Sequence, residues 1–156
     1  MTAITRAGMI RSLFGALSVA FAAGRNAQAQ ASKPHRVVIQ IDQNDEAVMR
    51  LALNNARNAL DYYRDRDEAI EIEIVAYGPG LAMLRDDTSP VKDRIKDLSL
   101  VRFPAKVVFS ACNNTKTAME RREGHPITMV PQATMVAAGV VRIIELQEQG
   151  YCYVRP

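Results

Sequence analysis

Runs of β-branched and apolar residues alternate with stretches of helical periodicity along most of this chain. That alternation constrains the fold more than any other feature. Arg36–Ile41, Glu71–Tyr77 and Lys106–Ala111 read as strands, and Ile127–Val130 and Tyr151–Val154 as two shorter ones. After the polar turn Asp42–Asp45, apolar residues recur at three- and four-residue spacing: Val48, Leu51, Ala52, Ala56, Ala59, Leu60 and Tyr63. That is one face of a helix, with Asp45 as its N-cap. Leu81–Leu84 suits a short helical turn, and Ser89–Pro90 reads as an N-cap followed by a first-turn proline. Val91, Ile95 and Leu98 form the apolar face of the helix that follows. A further helix is predicted over Thr115–Arg122, closed by Gly124. The last one is predicted over Ala133–Gln149, with Val136, Val140, Val141 and Ile144 inward and Gly150 as its stop. The order β-α-β-α-β-α-β-α-β predicts an α/β fold with a parallel sheet covered on both faces. A chain of 156 residues suffices for one such domain with a real core.

In such a sheet the carboxyl ends of the first three strands converge. They bring Asp42–Asn44, Tyr77–Gly80 and Cys112–Thr115 to one edge. Gly78–Pro79–Gly80 gives a tight turn that admits a ligand or another backbone at close range. It is no dinucleotide fingerprint, because the third glycine and its spacing are missing. Cys112 closes the third strand and stands just before a helix N-terminus, where backbone N–H groups and the helix dipole favour a thiolate. A cysteine at the end of a buried strand also serves commonly as a small hydrophobe. As a nucleophile it has neither a Ser-His-Asp set nor a C-x-x-C partner. A lone thiol of this kind suits sulfur transfer through a persulfide. Asn113, Asn114 and Thr115 then supply N–H and hydroxyl donors, with Gly78 and Gly80 beside them as ligand-binding glycines.

The first residues do not belong to that domain. Arg6 and Arg11 precede the apolar run Leu13–Ala23, and Ala27–Gln28–Ala29 and Ala29–Gln30–Ala31 both fit a small-x-small cleavage site. A secretory signal peptide over residues 1–31 is therefore expected, with the mature chain starting at Ser32 or Gln30 in the periplasm or outside the cell. The apolar run is too short to span a bilayer comfortably. The segment holds three arginines and no acid, so its removal leaves 17 basic against 17 acidic residues. The apparent charge of +3 belongs wholly to this segment, and nothing in the remaining balance points to nucleic acid or to a membrane surface. His35 and His125 are isolated, so neither a metal nor a cofactor is assigned.

Two cysteines in an exported chain invite a disulfide. The strand assignment argues against it, since Cys112 ends the third strand and Cys152 begins the fifth. Cys152, between two tyrosines, is expected to be a packing residue, and Cys112 the more reactive thiol.

The strand–Cys112–Asn113–Asn114–Thr115 segment, Val75–Leu81 and the ending Gly139–Pro156 together resemble the DsrE/DsrF-like family, in particular its exported, single-domain branch. The resemblance covers roughly residues 36–156. It implies a three-layer α/β/α domain over 32–156 with a five-stranded parallel sheet, and assembly into a trimer or hexamer. In sulfur-relay members such as the TusBCD and DsrEFH proteins a cysteine carries sulfur as a persulfide, and Cys112 looks like its counterpart. Those relays are cytoplasmic, so a signal peptide here implies other sulfur donor and acceptor proteins. Two readings follow: a sulfur carrier or sulfurtransferase acting through Cys112, or a non-catalytic oligomeric module that binds a small ligand or a protein partner.

Overall fold

A computed structural model describes residues 33–156; the predicted signal peptide lies outside the described residues. The elements run β1 (His35–Ile41), α1 (Glu46–Arg64), β2 (Ile70–Ala76), a 3₁₀ helix (Gly78–Leu84), α2 (Lys92–Ser99), β3 (Ala105–Cys112), α3 (Asn113–Glu123), β4 (Ala133–Val136), α4 (Gly139–Glu148) and β5 (Cys152–Val154). The five strands form one sheet in the order β4-β3-β2-β1-β5. Every pairing in it is parallel. The domain is α/β in three layers, as the resemblance implied.

The two helical layers are unequal. One face of the sheet carries Ile39, Ile41, Ile70, Ile72, Ile74, Phe109 and Ala111. Buried residues of α1 (Met49, Leu53, Leu60), α2 (Ile95, Leu98) and α3 (Met119) join them in the main core. Each large side chain buried there contributes about 1.5–3 kcal/mol. Among the described residues the other face is covered by α4 alone, through Ile143 and Leu146 against Val38 and Val75. Right-handed crossovers explain the split. The chain steps one way from β1 to β4, putting α1, α2 and α3 on one face. It then returns across the whole sheet to β5, which puts α4 on the other.

Several sequence expectations need correction. Asp45 does cap α1, its carboxylate accepting from the N–H groups of Ala47 and Val48. Met49 and Leu53 complete the buried face instead of Leu51, which is 46% exposed. The Ser89 hydroxyl accepts from Val91 N–H and so caps the turn before α2, one step ahead of the helix proper. Ile127–Val130 is not a strand. Ile127 and Val130 drop into the main core, and Met129 makes only an isolated antiparallel bridge to Arg85. The fourth strand is Ala133–Val136, which pairs with Phe109–Cys112 of β3. The last helix therefore starts at Gly139, six residues later than expected. Its inward residues are Ile143 and Leu146, while Val140, Val141 and Ile144 are 56%, 47% and 51% exposed.

Candidate functional site

Adjacent strands β3 and β4 send their following helices to opposite faces of the sheet. That makes the crevice outside their carboxyl ends a topological switch point, where open α/β sheets bind ligands. Cys112 is the last residue of β3 and pairs with Val136, the last residue of β4. It lies in that crevice with only 4% of its surface exposed.

Two helix N-termini meet at its sulfur. Cys112 is the N-cap of α3, and its Sγ accepts from Thr115 N–H at 3.4 Å. Ala138, the N-cap of α4, offers no capping side chain, so the N–H groups of that first turn lack an internal partner. The Gly139 N–H at its start acts on the Cys112 sulfur. Burial pushes the Cys112 thiol up. The Thr115 hydroxyl and N–H, with the N–H groups of Gly139 and Asn114, outweigh burial and bring it below the ordinary thiol range. The Asn114 N–H is itself held by the Ala137 carbonyl at 3.2 Å, which ties the start of α3 to the β4–α4 turn.

The other predicted site residues divide. Asn113 and Asn114 are exposed at the rim and Thr115 is half-buried. Thr115 Oγ1 accepts from Gly78 N–H at 3.0 Å, which locks the β2 turn onto α3. Gly78 takes a left-handed φ of 52°, a conformation glycine adopts without strain. It lines, with Pro79, Asn114, Thr115, Met119 and Arg122, a cavity of about 370 Å³ on the α3 side of the crevice. Gly80 belongs elsewhere. A Cβ on it would stand 2.4 Å from the Ile41 carbonyl oxygen, so Gly80 is required for backbone packing and has no free face for a ligand. Asp42 does reach this edge. It accepts from Gln40 Nε2 at 2.8 Å and from Arg155 at 3.4 Å, while Tyr153 donates its hydroxyl to Gln40 at 2.6 Å. Tyr77 stands between this group and α4, its phenol pushed up by burial and then by Asp42.

Cys152 does not behave as expected. It is exposed on β5, and both thiols are free. The register confirms that they cannot pair. Cys152 is level with Val37, which is level with Ile72, which is level with Val107. Cys112 lies five residues beyond Val107 and three strand steps away. That is about 14 Å across the sheet and about 17 Å along it, against the roughly 7 Å a disulfide tolerates.

Sequence reasoning missed a buried ionic group beside the thiol. Glu73, in the middle of β2, is 3% exposed and accepts from Ser110 Oγ at 2.5 Å. Arg142 of α4 grips the same carboxylate bidentately, at 2.7 and 2.8 Å. The available signal was a glutamate inside a strand that a central parallel sheet should bury on both faces.

A larger hollow of about 460 Å³ opens at the opposite edge of the sheet around Phe103, Pro104 and Lys106; no thiol, hydroxyl or imidazole lines it. Among the described residues no group of three or more His, Cys, Asp or Glu is arranged to hold a metal ion. No helix among them is long and apolar enough to cross a membrane.

No protein-family model matches the sequence, and no curated protein matches it. A solved structure does. It is that of MTH1491 from Methanobacterium thermoautotrophicum, described as a protein of unknown function. The two are 32% identical with a TM-score of 0.65, over 78% of this chain and 99% of that one.

Proposed function

For a chain that belongs to the family of the Methanobacterium thermoautotrophicum protein MTH1491, we propose the role of a sulfur carrier that holds a persulfide on Cys112. The observation that carries this reading is the placement of one thiol at the switch point, capping α3 through its sulfur with the start of α4 tied alongside. Amide dipoles stabilise a sulfur anion there without any ionised partner. The reading also draws on the resemblance to DsrE/DsrF-like proteins.

The transfer needs no outside oxidant or reductant. The Cys112 thiolate attacks the outer sulfur of a donor persulfide R–S–SH. A new S–S bond forms on Cys112, the donor's S–S bond breaks, and the donor leaves as R–S⁻. The outer sulfur keeps its proton. An acceptor thiolate then takes that sulfur by the same displacement and returns Cys112 as thiolate. The N–H groups of Thr115 and Gly139 stabilise the Cys112 thiolate before the first step and again after the second, while the negative charge leaves with the donor and returns with the acceptor in between. The rim of Asn113 and Asn114 and the cavity beside Gly78 and Arg122 form the approach for donor and acceptor.

We place the protein outside the cytoplasm, on the composition of residues 1–31, and as a homo-oligomer. The exposed side of α4, with Val140, Val141 and Ile144, suits a second copy of the chain. N-terminal sequencing of envelope protein is expected to begin at Ser32 or Gln30; an intact Met1 overturns export.

Cyanolysis tests the carrier role. Reduced protein is loaded with inorganic polysulfide, freed of excess reagent, and treated with cyanide, which converts an outer sulfane sulfur to thiocyanate. About one equivalent per chain is expected from wild type and from Cys152→Ser, and none from Cys112→Ser. Equal release from Cys112→Ser and wild type overturns the reading and leaves the non-catalytic binding module in its place.

A further inference from the structure

The Glu73–Arg142 pair joins the middle of β2 to the first turn of α4, and its position suggests a use beyond packing. Among the described residues α4 is the one helix on its face of the sheet, and it anchors there through Ile143 and Leu146, with Tyr77 and Tyr151 packed against them. Its other apolar residues point outward. Those contacts hold the body of the helix, whereas the Cys112 site depends on where its first turn lies.

Three features fix that turn. Gly139 lies so close to Tyr77 that an added Cβ would stand 2.7 Å from the tyrosine Cβ. One helical turn on, Arg142 closes a two-point fork on Glu73. Glu73 is in turn held by Ser110, which is 1% exposed and lies two residues before Cys112 on the same face of β3. The chain of contacts is thus Cys112–Ser110 along β3, Ser110–Glu73 across to β2, Glu73–Arg142 up to α4, and Arg142 back to Gly139 beside the sulfur. A buried ion pair seldom adds net stability over apolar groups of the same volume, because desolvation offsets the attraction. A planar bidentate pair does impose one geometry.

We propose that Glu73 is a positioning residue for Cys112, locking the first turn of α4 through Arg142 so that the Gly139 N–H faces the sulfur. The inference deepens the carrier reading and rests on it for its biological meaning. The other titratable groups around the clamp are Glu145, on the outer side of Arg142 at 3.5 Å, and Tyr151 with its partners Glu71 and Arg36 at the far end of the face. The leading influences on the Cys112 thiol are burial, Thr115, Gly139 and Asn114, none of them an ionised side chain. A change at Glu73 therefore reaches the thiol through the neighbours that Glu73 holds, Arg142 on α4 and Ser110 on β3.

The test uses the full chain in a Cys152→Ser background and follows thiolate ultraviolet absorbance against pH. Glu73→Gln keeps the shape and weakens the fork. The double variant Glu73→Met with Arg142→Met replaces the pair by apolar side chains and is expected to fold even if the single variant does not. The thiol is expected to titrate higher in the double variant, with the thiolate fraction near neutral pH falling roughly three- to tenfold, while its urea midpoint stays level or rises. An unchanged titration in a folded double variant overturns the proposal. So does a titration shift accompanied by loss of the folded state. Because absorbance reports the thiolate and not sulfur transfer, a shifted titration together with absent cyanolysis in wild type sinks the carrier and keeps the clamp. An unshifted one with normal cyanolysis does the reverse.

Discussion

Cys112 draws its chemistry from backbone amides and one hydroxyl, so the most informative single substitution is at that hydroxyl. Thr115→Val removes a group that lowers the Cys112 pKa and leaves Gly78 N–H without its acceptor. The thiol is expected to titrate higher by absorbance, and urea unfolding to show a loss of about 1 kcal/mol for the unpaired N–H. A second titration reports on the α4 face. Burial, then the hydrogen bond to Glu71, pushes the Tyr151 phenol up to about 12. A phenol whose folded pKa is raised adds stability that is fully present below its ordinary value near 10 and is lost as pH rises toward 12. Wild type is expected to lose denaturant resistance across that alkaline window, and Tyr151→Phe to lose less of it. The place of Cys112 between β3 and α3 was legible from the residues alone because its strand and the asparagines after it are contiguous. Glu73 was not. Its alternation with Ile72 and Ile74 reads as an ordinary solvent-facing position, and its partner Arg142 lies 69 residues away. Cys152 was misjudged for a related reason: its tyrosine neighbours suggest burial, while β5 is a three-residue edge strand with an open side.

Among the elements, β1, α1, β2, β3 and α3 were readable because each carries a long periodic run or a local cap. The region after Gly124 was not. Ile127–Val130 and Ala133–Val136 are both short apolar runs, and only pairing with β3 decides which becomes the edge strand. The small residues of Ala133–Gly139 also continue a helical pattern without a break, so periodicity extended the last helix backwards across a strand and a turn. That error moved the helix start, which is the part that faces Cys112. The 3₁₀ segment after β2 offers a direct check on how tightly this edge is built. Gly80→Ala would set a methyl 2.4 Å from the Ile41 carbonyl oxygen, and both sides of that contact are backbone. Thermal or urea unfolding is expected to show a loss of about 3 kcal/mol, more than alanine at Gly124 or Gly150, where the space is open and the left-handed backbone alone costs roughly 1–2 kcal/mol.

For the molecule as a whole, the parallel sheet and its layers followed from strand–helix alternation and crossover handedness. The uneven covering did not, because it depends on the long return from β4 to β5. On the face that α4 covers, Val140, Val141 and Ile144 are turned outward among the described residues. Light scattering at micromolar concentration is expected to give a multiple of the chain mass, and Val141→Lys with Ile144→Lys to reduce it to one chain. A monomer in the unsubstituted protein contradicts the proposed assembly. The central claim concerns the atom that Cys112 carries. Intact-mass measurement of reduced protein after exposure to a sulfane-sulfur donor, followed by peptide mapping, tests it most directly. The expected result is a gain of one sulfur atom per chain on the peptide containing Cys112, reversed by a thiol acceptor. No gain, or a gain confined to the exposed Cys152, contradicts it.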